Sequence, residues 1–198
     1  MNKINYQKEL DKIIENNKEN KPSLMLHSCC APCSSYVLEY LSKYFDITVF
    51  YFNPNISPES EYIKRVNEVK RLIEEMPECE DVKFLEGRYN PNEFYDCAPE
   101  GGERCLKCFR LRFKETANAA AKAGSEYVCT TLTISPLKNA DNLNKIGEEE
   151  CEKLGLKWLP SDFKKKNGYK RSIELSREYD LFRQNYCGCV FSKRNSVV

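Results

Sequence analysis

Three features of the sequence predict an α/β fold with a mostly parallel sheet flanked by helices. Short β-branched and aromatic runs recur along the chain, and helical segments of about 10 to 20 residues separate them. The first such run ends in a cluster of cysteines, at the strand edge where open α/β sheets hold their ligands. The 198 residues, 41% hydrophobic and 31% charged, suffice for one sizeable core and are too few for two, so a single domain is expected over residues 1–198.

In chain order, residues 5–17 place Tyr6, Leu10, Ile13 and Ile14 at helical spacing, and Ser23-Leu24-Met25-Leu26-His27 reads as a short buried strand. A helix from about Pro32 to Tyr44 follows, then a strand Ile47 to Phe52 stopped by Asn53-Pro54-Asn55. Ser57-Pro58-Glu59-Ser60-Glu61 has the cap, proline and early acids of a helix start, leading to about Met76. Val82 to Leu85 is the third strand. A polar loop around Cys97 to Glu103 precedes a helix from Leu106 to Ala123, ended by Gly124. Tyr127 to Leu132 is the fourth strand, Asn139 to Leu154 a helix, and Lys157-Trp158-Leu159 the fifth strand. Beyond Pro160 a charged segment, Lys164 to Arg171, leads to a short helix and a cysteine-rich tail.

The 31 basic and 30 acidic residues nearly cancel to +1, so nucleic-acid contact must come from local clustering. Met1 to Asn20 has no apolar leader core, and no stretch approaches the roughly 18 apolar residues of a membrane span. A cytoplasmic protein without a membrane partner is expected. In a reducing cytosol, eleven cysteines point to metal binding or redox catalysis instead of a disulfide scaffold.

Cys29-Cys30-Ala31-Pro32-Cys33 sits where the first strand ends and a helix begins, and a helix N-terminus favours thiolates and anionic clusters. Adjacent cysteines on a regular strand point to opposite faces, so a turn must aim both into one pocket. Cys105 and Cys108 form a CxxC at the start of a helix, on one face. Together these pairs supply four thiolates, which spacing alone assigns equally to an all-cysteine zinc site or a 4Fe-4S cluster. Cys187-Gly188-Cys189 is either a strained, easily reduced pair, enabled by Gly188, or two idle tail cysteines.

Four ordered blocks resemble the QueH family of epoxyqueuosine reductases. They are His27-Ser28-Cys29-Cys30-Ala31-Pro32-Cys33; Glu103-Arg104-Cys105-Leu106-Lys107-Cys108-Phe109; Thr130-Thr131-Leu132 with Ser135-Pro136-Leu137-Lys138-Asn139; and Tyr186-Cys187-Gly188-Cys189. The resemblance runs from about Ser23 to Ser192. It implies an adenine nucleotide alpha hydrolase-like (HUP, Rossmann-like) fold and a single catalytic domain whose segment from about 160 to 198 completes the active site. It also implies reduction of epoxyqueuosine to queuosine at the wobble position of tRNA, with an external electron donor. On this likeness Cys29, Cys30, Cys105 and Cys108 hold a 4Fe-4S cluster, and Cys187 and Cys189 are a redox-active, catalytic pair. A second metal, an adjacent mononuclear iron, is linked to the family, with Cys33, Cys187 and Cys189 as its candidate ligands.

Lys164 to Arg171, with Tyr169 embedded, is the expected tRNA contact or else a solvated loop. His27, the only histidine, is a proton donor, a substrate-orienting group or a satisfied strand-end residue. Thr130, Thr131, Ser135, Lys138 and Asn139 either line the pocket or cap a helix. Asp96 and Glu103 flank the CxxC and either serve in proton transfer or are solvated loop acids, and Cys79, Cys97, Cys129 and Cys151 fit no paired spacing. The competing functions are a structural four-cysteine zinc protein that binds RNA, a cytosolic thiol-disulfide oxidoreductase and a nucleotide-activating tRNA thiolase. The oxidoreductase leaves Cys29-Cys30 unexplained, and the thiolase lacks a glycine-rich phosphate loop after the first strand.

Overall fold

A computed structural model describes residues 4–97 and 103–194. Five parallel strands, β1 (Ser23–His27), β2 (Asp46–Tyr51), β3 (Lys83–Glu86), β4 (Tyr127–Thr130) and β5 (Lys157–Trp158), form one sheet in the order β3-β2-β1-β4-β5. The helices are α1 (Tyr6–Asn16), α2 (Ala31–Leu41), α3 (Glu59–Glu75), α4 (Pro91–Cys97), α5 (Arg104–Ala123), α6 (Ala140–Glu152), α7 (Gly168–Glu178) and α8 (Val190–Arg194). This is the predicted α/β class, in the strand order of a doubly wound sheet.

Alternation along the strands sorts the core into two layers. Leu24 and Leu26 of β1, with Ile47, Val49 and Tyr51 of β2 and Cys129 of β4, pack on the side of α1, α2, α3 and α7. Met25, Phe50 and Val128 face the other way, against Ala117 and Ala120 of α5 and Cys151 of α6. Near-continuous burial of β1, β2 and β4 is what a sheet covered on both faces requires.

The direction of winding reverses between β1 and β4, whose carboxyl ends lie side by side with His27 opposite Thr130. That switch point is the crevice in which open α/β sheets bind ligands. β4 is shorter than the predicted strand because the Thr130 hydroxyl accepts the Leu132 amide at 3.2 Å, turning residues Thr131–Ile134 into a 3-10 helix. α2 ends three residues before Tyr44, and α5 begins two residues before Leu106. α4 was not legible as a helix in the sequence, and most of the expected loop from Cys97 to Glu103 lies outside the described residues.

Candidate metal centre

β1 delivers the chain to the switch point and α2 takes it away. Between them the backbone at Cys30 is fully extended (φ −172°, ψ 162°), and its side chain makes no capping bond to the helix it precedes. The thiol is therefore free to join its neighbours. A hydrogen bond between the Ser28 and Ser34 hydroxyls (2.8 Å) and one from the Ser34 hydroxyl to the Cys30 carbonyl (2.9 Å) hold the turn. The result brings the sulfurs of Cys29, Cys30 and Cys33 within 4.8 Å of one another, with Cys29 and Cys30 3.7 Å apart.

Three thiols this close cannot ionise independently. Hydrogen bonds from Cys30 and Cys33 hold Cys29 well below the ordinary thiol range, aided by the charges of Lys138 and Arg112. Cys30 is pushed well above it by the same pairing, and Cys33 is pushed up to about 12, first by its hydrogen bond with Cys29. Cys29 is thus the thiol of the trio that ionises most readily, and it also accepts from the Thr131 hydroxyl at 3.5 Å.

Cys105 and Cys108 stand outside this group. Cys105 is exposed and Cys108 is buried among Phe94 and Cys189, with Cys97 and Phe191 packed alongside. What ties Cys108 to the trio is Arg112, one turn further along α5, whose charge acts on both Cys29 and Cys108. Arg112 is 3% exposed and donates to His27 Nε2 (3.2 Å) and Asn53 Oδ1 (2.6 Å). His27 is wholly buried, and burial plus the adjacent guanidinium lower its pKa to about 3. It is therefore neutral, with Nε2 accepting and the proton on Nδ1 facing Thr130 Oγ1 at 2.9 Å. That arrangement makes His27 an anchor for Arg112.

The tail pair approaches from the other side. Cys187 and Cys189 are free thiols with sulfurs 3.5 Å apart. Their hydrogen bond is the chief cause that lowers Cys187 to about 4 and raises Cys189 above the ordinary thiol range, so the two share a single proton at neutral pH. Gly188 (φ +104°) fits against Ile56 and Arg65, the Ser57 amide donates to its carbonyl at 3.0 Å, and Asn55 Nδ2 reaches the Cys187 carbonyl at 3.4 Å. Arg65 is 2% exposed, bonded to Glu61 at 2.7 Å and lying 5.0 Å over the Tyr186 ring. Its second amino group and the Tyr51 hydroxyl are buried without hydrogen-bond partners, and both residues feel Cys30. Cys33 groups with Cys29 and Cys30.

The remaining expected site residues divide. Thr131 touches Cys29 through its backbone amide and its sulfur, and the charge of Lys138 reaches Cys29 and Cys187. Asn139 caps α6 by accepting the Asn142 amide, and Ser135 accepts from Lys138 at 3.4 Å. The basic stretch is largely internally paired: Lys164 with Asp162, Lys166 with Asp11 and Arg171 with Glu39. Lys164 and Lys165 line a cavity of about 350 Å³ with Lys138, Tyr6 and Asp141. Cys79, Cys129 and Cys151 are buried in the core clusters. Arg65, Arg112, Asn53 and Tyr51 were missed. The signal for the arginines was a cation set into an apolar helical stripe: Arg65 beside Tyr62, Val66 and Val69, and Arg112 beside Cys108, Phe113 and Thr116.

Against known proteins, the family model described as epoxyqueuosine reductase QueH matches residues 24–195. A Staphylococcus epidermidis protein named epoxyqueuosine reductase QueH is 44% identical, the match covering 96% of this chain and 85% of that one. Proteins of the same name from Streptococcus pyogenes and Thermotoga maritima are 42% and 35% identical, over 97% and 86% of this chain and 79% and 90% of theirs.

Proposed function

The chain belongs to the epoxyqueuosine reductase QueH family, and from that premise we propose that it reduces epoxyqueuosine to queuosine at the wobble position of tRNA, using a 4Fe-4S cluster on Cys29, Cys30, Cys105 and Cys108. The observation that carries the cofactor half of this reading is the trio of thiols at the sheet's switch point, ringed by buried cations.

The residues fit an anionic, sulfur-rich group. Four thiolates and sulfide carry negative charge, and Arg65, Arg112 and Lys138 surround the cysteines with positive charge. The unpartnered donors of Arg65 and Tyr51 beside Cys30 are placed to hydrogen-bond to sulfur. When bound, the cluster supplies electrons one at a time.

Opening the epoxide to an alkene requires two electrons and two protons and releases the oxygen as water. The Cys187–Cys189 pair matches the electron demand: with one proton on the pair, its oxidation to a disulfide gives up two electrons and that proton, solvent supplies the second proton, and electrons and a proton from an external donor and solvent restore it. Cys189 holds the proton of the pair, and Cys187 is the thiolate. The charge of Lys138, felt at Cys29 and Cys187, favours the oxyanion that develops as the C–O bond breaks. In this reading residues 1–198 act as one catalytic domain in the cytoplasm, with the tail closing the site. Among the described residues no helix is long and apolar enough to cross a membrane.

The test is anaerobic purification followed by visible spectroscopy, iron and sulfide assay, and reaction with tRNA carrying epoxyqueuosine. Brown protein with about four irons and four sulfides that yields queuosine supports the proposal. Sulfurs within 4.8 Å also suit a single tetrahedral ion on Cys29, Cys30 and Cys33. Colourless protein with one zinc and no turnover would favour that second reading.

A further inference from the structure

α5 carries two arginines that meet opposite fates. Arg110 faces outward and pairs with Glu149 and Glu150 of α6, both at 2.6 Å. Arg112, two positions on, is buried, and among the described residues it forms no ion pair. Its two acceptors are uncharged: the Asn53 amide, and His27 through the ring nitrogen that carries no proton. Arg65, the other buried arginine of the site, has Glu61. A guanidinium taken out of water with no counter-charge is strongly destabilising, so the fold tolerates Arg112 only if an anion completes it. The groups within its reach that become anionic when they bind metal are sulfurs: Cys108, one turn earlier on the same helix face, and Cys29, two residues beyond His27.

We propose that Arg112, held by His27 and Asn53 within reach of Cys29 and Cys108, raises by its charge the reduction potential of the iron-sulfur group those cysteines hold. The inference rests on the cluster reading above. Adding an electron makes such a group more negative, and a fixed buried cation stabilises that added charge. His27 and Asn53 are then parts of the same device. His27 orients the guanidinium as a neutral acceptor. Asn53, which also donates to the Ser28 carbonyl at 2.9 Å, fixes it to the turn that presents Cys29.

The experiment is an anaerobic redox titration, followed by electron paramagnetic resonance, of the reconstituted protein and three variants. Arg112→Met removes the charge, and Arg112→Lys keeps it. Asn53→Asp leaves the guanidinium in place and gives it a carboxylate, so it serves even if Arg112→Met folds poorly. The midpoint potential moves to more negative values in Arg112→Met and Asn53→Asp at unchanged iron and sulfide content, and least in Arg112→Lys. An unchanged potential in Asn53→Asp with its cluster intact would overturn the role of Arg112 while leaving the cluster reading standing. Wild-type protein that takes up no iron and sulfide would overturn the cluster reading and this inference with it.

Discussion

Gly188→Ala tests whether the tail pair must be docked against Ile56 and Arg65. At φ +104° the backbone is in a region that costs an L-residue roughly 1–3 kcal/mol. An alanine Cβ would stand 2.9 Å from Ile56 Cγ1 and 3.1 Å from Arg65 Nη1. Neither neighbour yields readily, since Ile56 is 1% and Arg65 2% exposed, and overpacking of this kind costs about 1–3 kcal/mol. Two hydrogen bonds hold the loop down, from the Ser57 amide to Gly188 and from Asn55 to Cys187, worth roughly 0.5–1.5 kcal/mol each. Strain of about 2–6 kcal/mol therefore exceeds the roughly 1–3 kcal/mol that docks the loop, and the loop leaves its seat. Single-turnover conversion of epoxyqueuosine in tRNA, read by nucleoside chromatography, falls at least about tenfold, the equivalent of a 1.4 kcal/mol deficit. Iron content and melting temperature stay near wild type because the loop lies outside the sheet core. Wild-type turnover in Gly188→Ala would refute the docking argument, and a large loss of iron would show that the tail helps to hold the metal.

Other outcomes follow from the same geometry. The double variant Cys187→Ser/Cys189→Ser keeps its visible absorbance and loses turnover; full activity would remove the pair from the reaction. In metal-free protein Cys187, lowered to about 4, is already thiolate at pH 6, so its alkylation rate is flat from about pH 6 to 8, where an ordinary thiol near 8.5 gains almost tenfold per unit. A rate rising across that window, read by mass spectrometry of the Cys187 peptide, would contradict the shared proton. Gly147→Ala drives a Cβ to within 2.4 Å of the Trp158 ring, which is pinned by Phe113 at 5.2 Å and by Asn144 at 3.0 Å. At roughly 1–3 kcal/mol of overpacking and about 2–4 °C per kcal/mol, the melting temperature falls by about 2–12 °C, and an unchanged melt would mean the ring can move. Removing bound metal with a chelator lowers the melting temperature, because a ligand held only by the folded state stabilises it. No shift would mean that the cysteines hold nothing in the folded protein.

The sheet was legible because its central strands are buried on both faces and so read as unbroken apolar runs; β1 is found at Ser23–His27, the span expected of it. The edges were harder. β5 is only two residues long, and its position depends on pairing with β4 through Tyr127 and Val128, a long-range fact no local pattern carries. The end of β4 depended on a side chain competing for a backbone amide at Thr130, which propensity does not register. At the site the cysteines announced themselves by spacing, yet spacing could not say that Cys33 sits with Cys29 and Cys30 while Cys108 lies against Cys189. Lys164, Lys166 and Arg171 looked like a basic surface because their partners Asp162, Asp11 and Glu39 belong, for two of the three, to distant parts of the chain.

The start of α2 explains why cysteines work at this switch point. A phosphate-binding turn offers a row of backbone amides at a helix N-terminus, and glycine lets the ligand approach them. Here Pro32 removes one of the first-turn amides, and the residue that would cap the helix is Cys30, whose thiol turns away from it. The helix end therefore keeps its positive dipole while offering little to an incoming phosphate, and the sulfurs supply negative charge from within the chain. Negative charge concentrated in a buried turn needs cations that cannot be screened away, and long side chains rooted on neighbouring helices provide them: Arg65 from α3, Arg112 from α5. Each helix gives up an apolar position to do so. The metal centre proposed at this sheet edge thus draws on the helices around it as well as on the cysteines, and the buried arginines mark where its negative charge would be met.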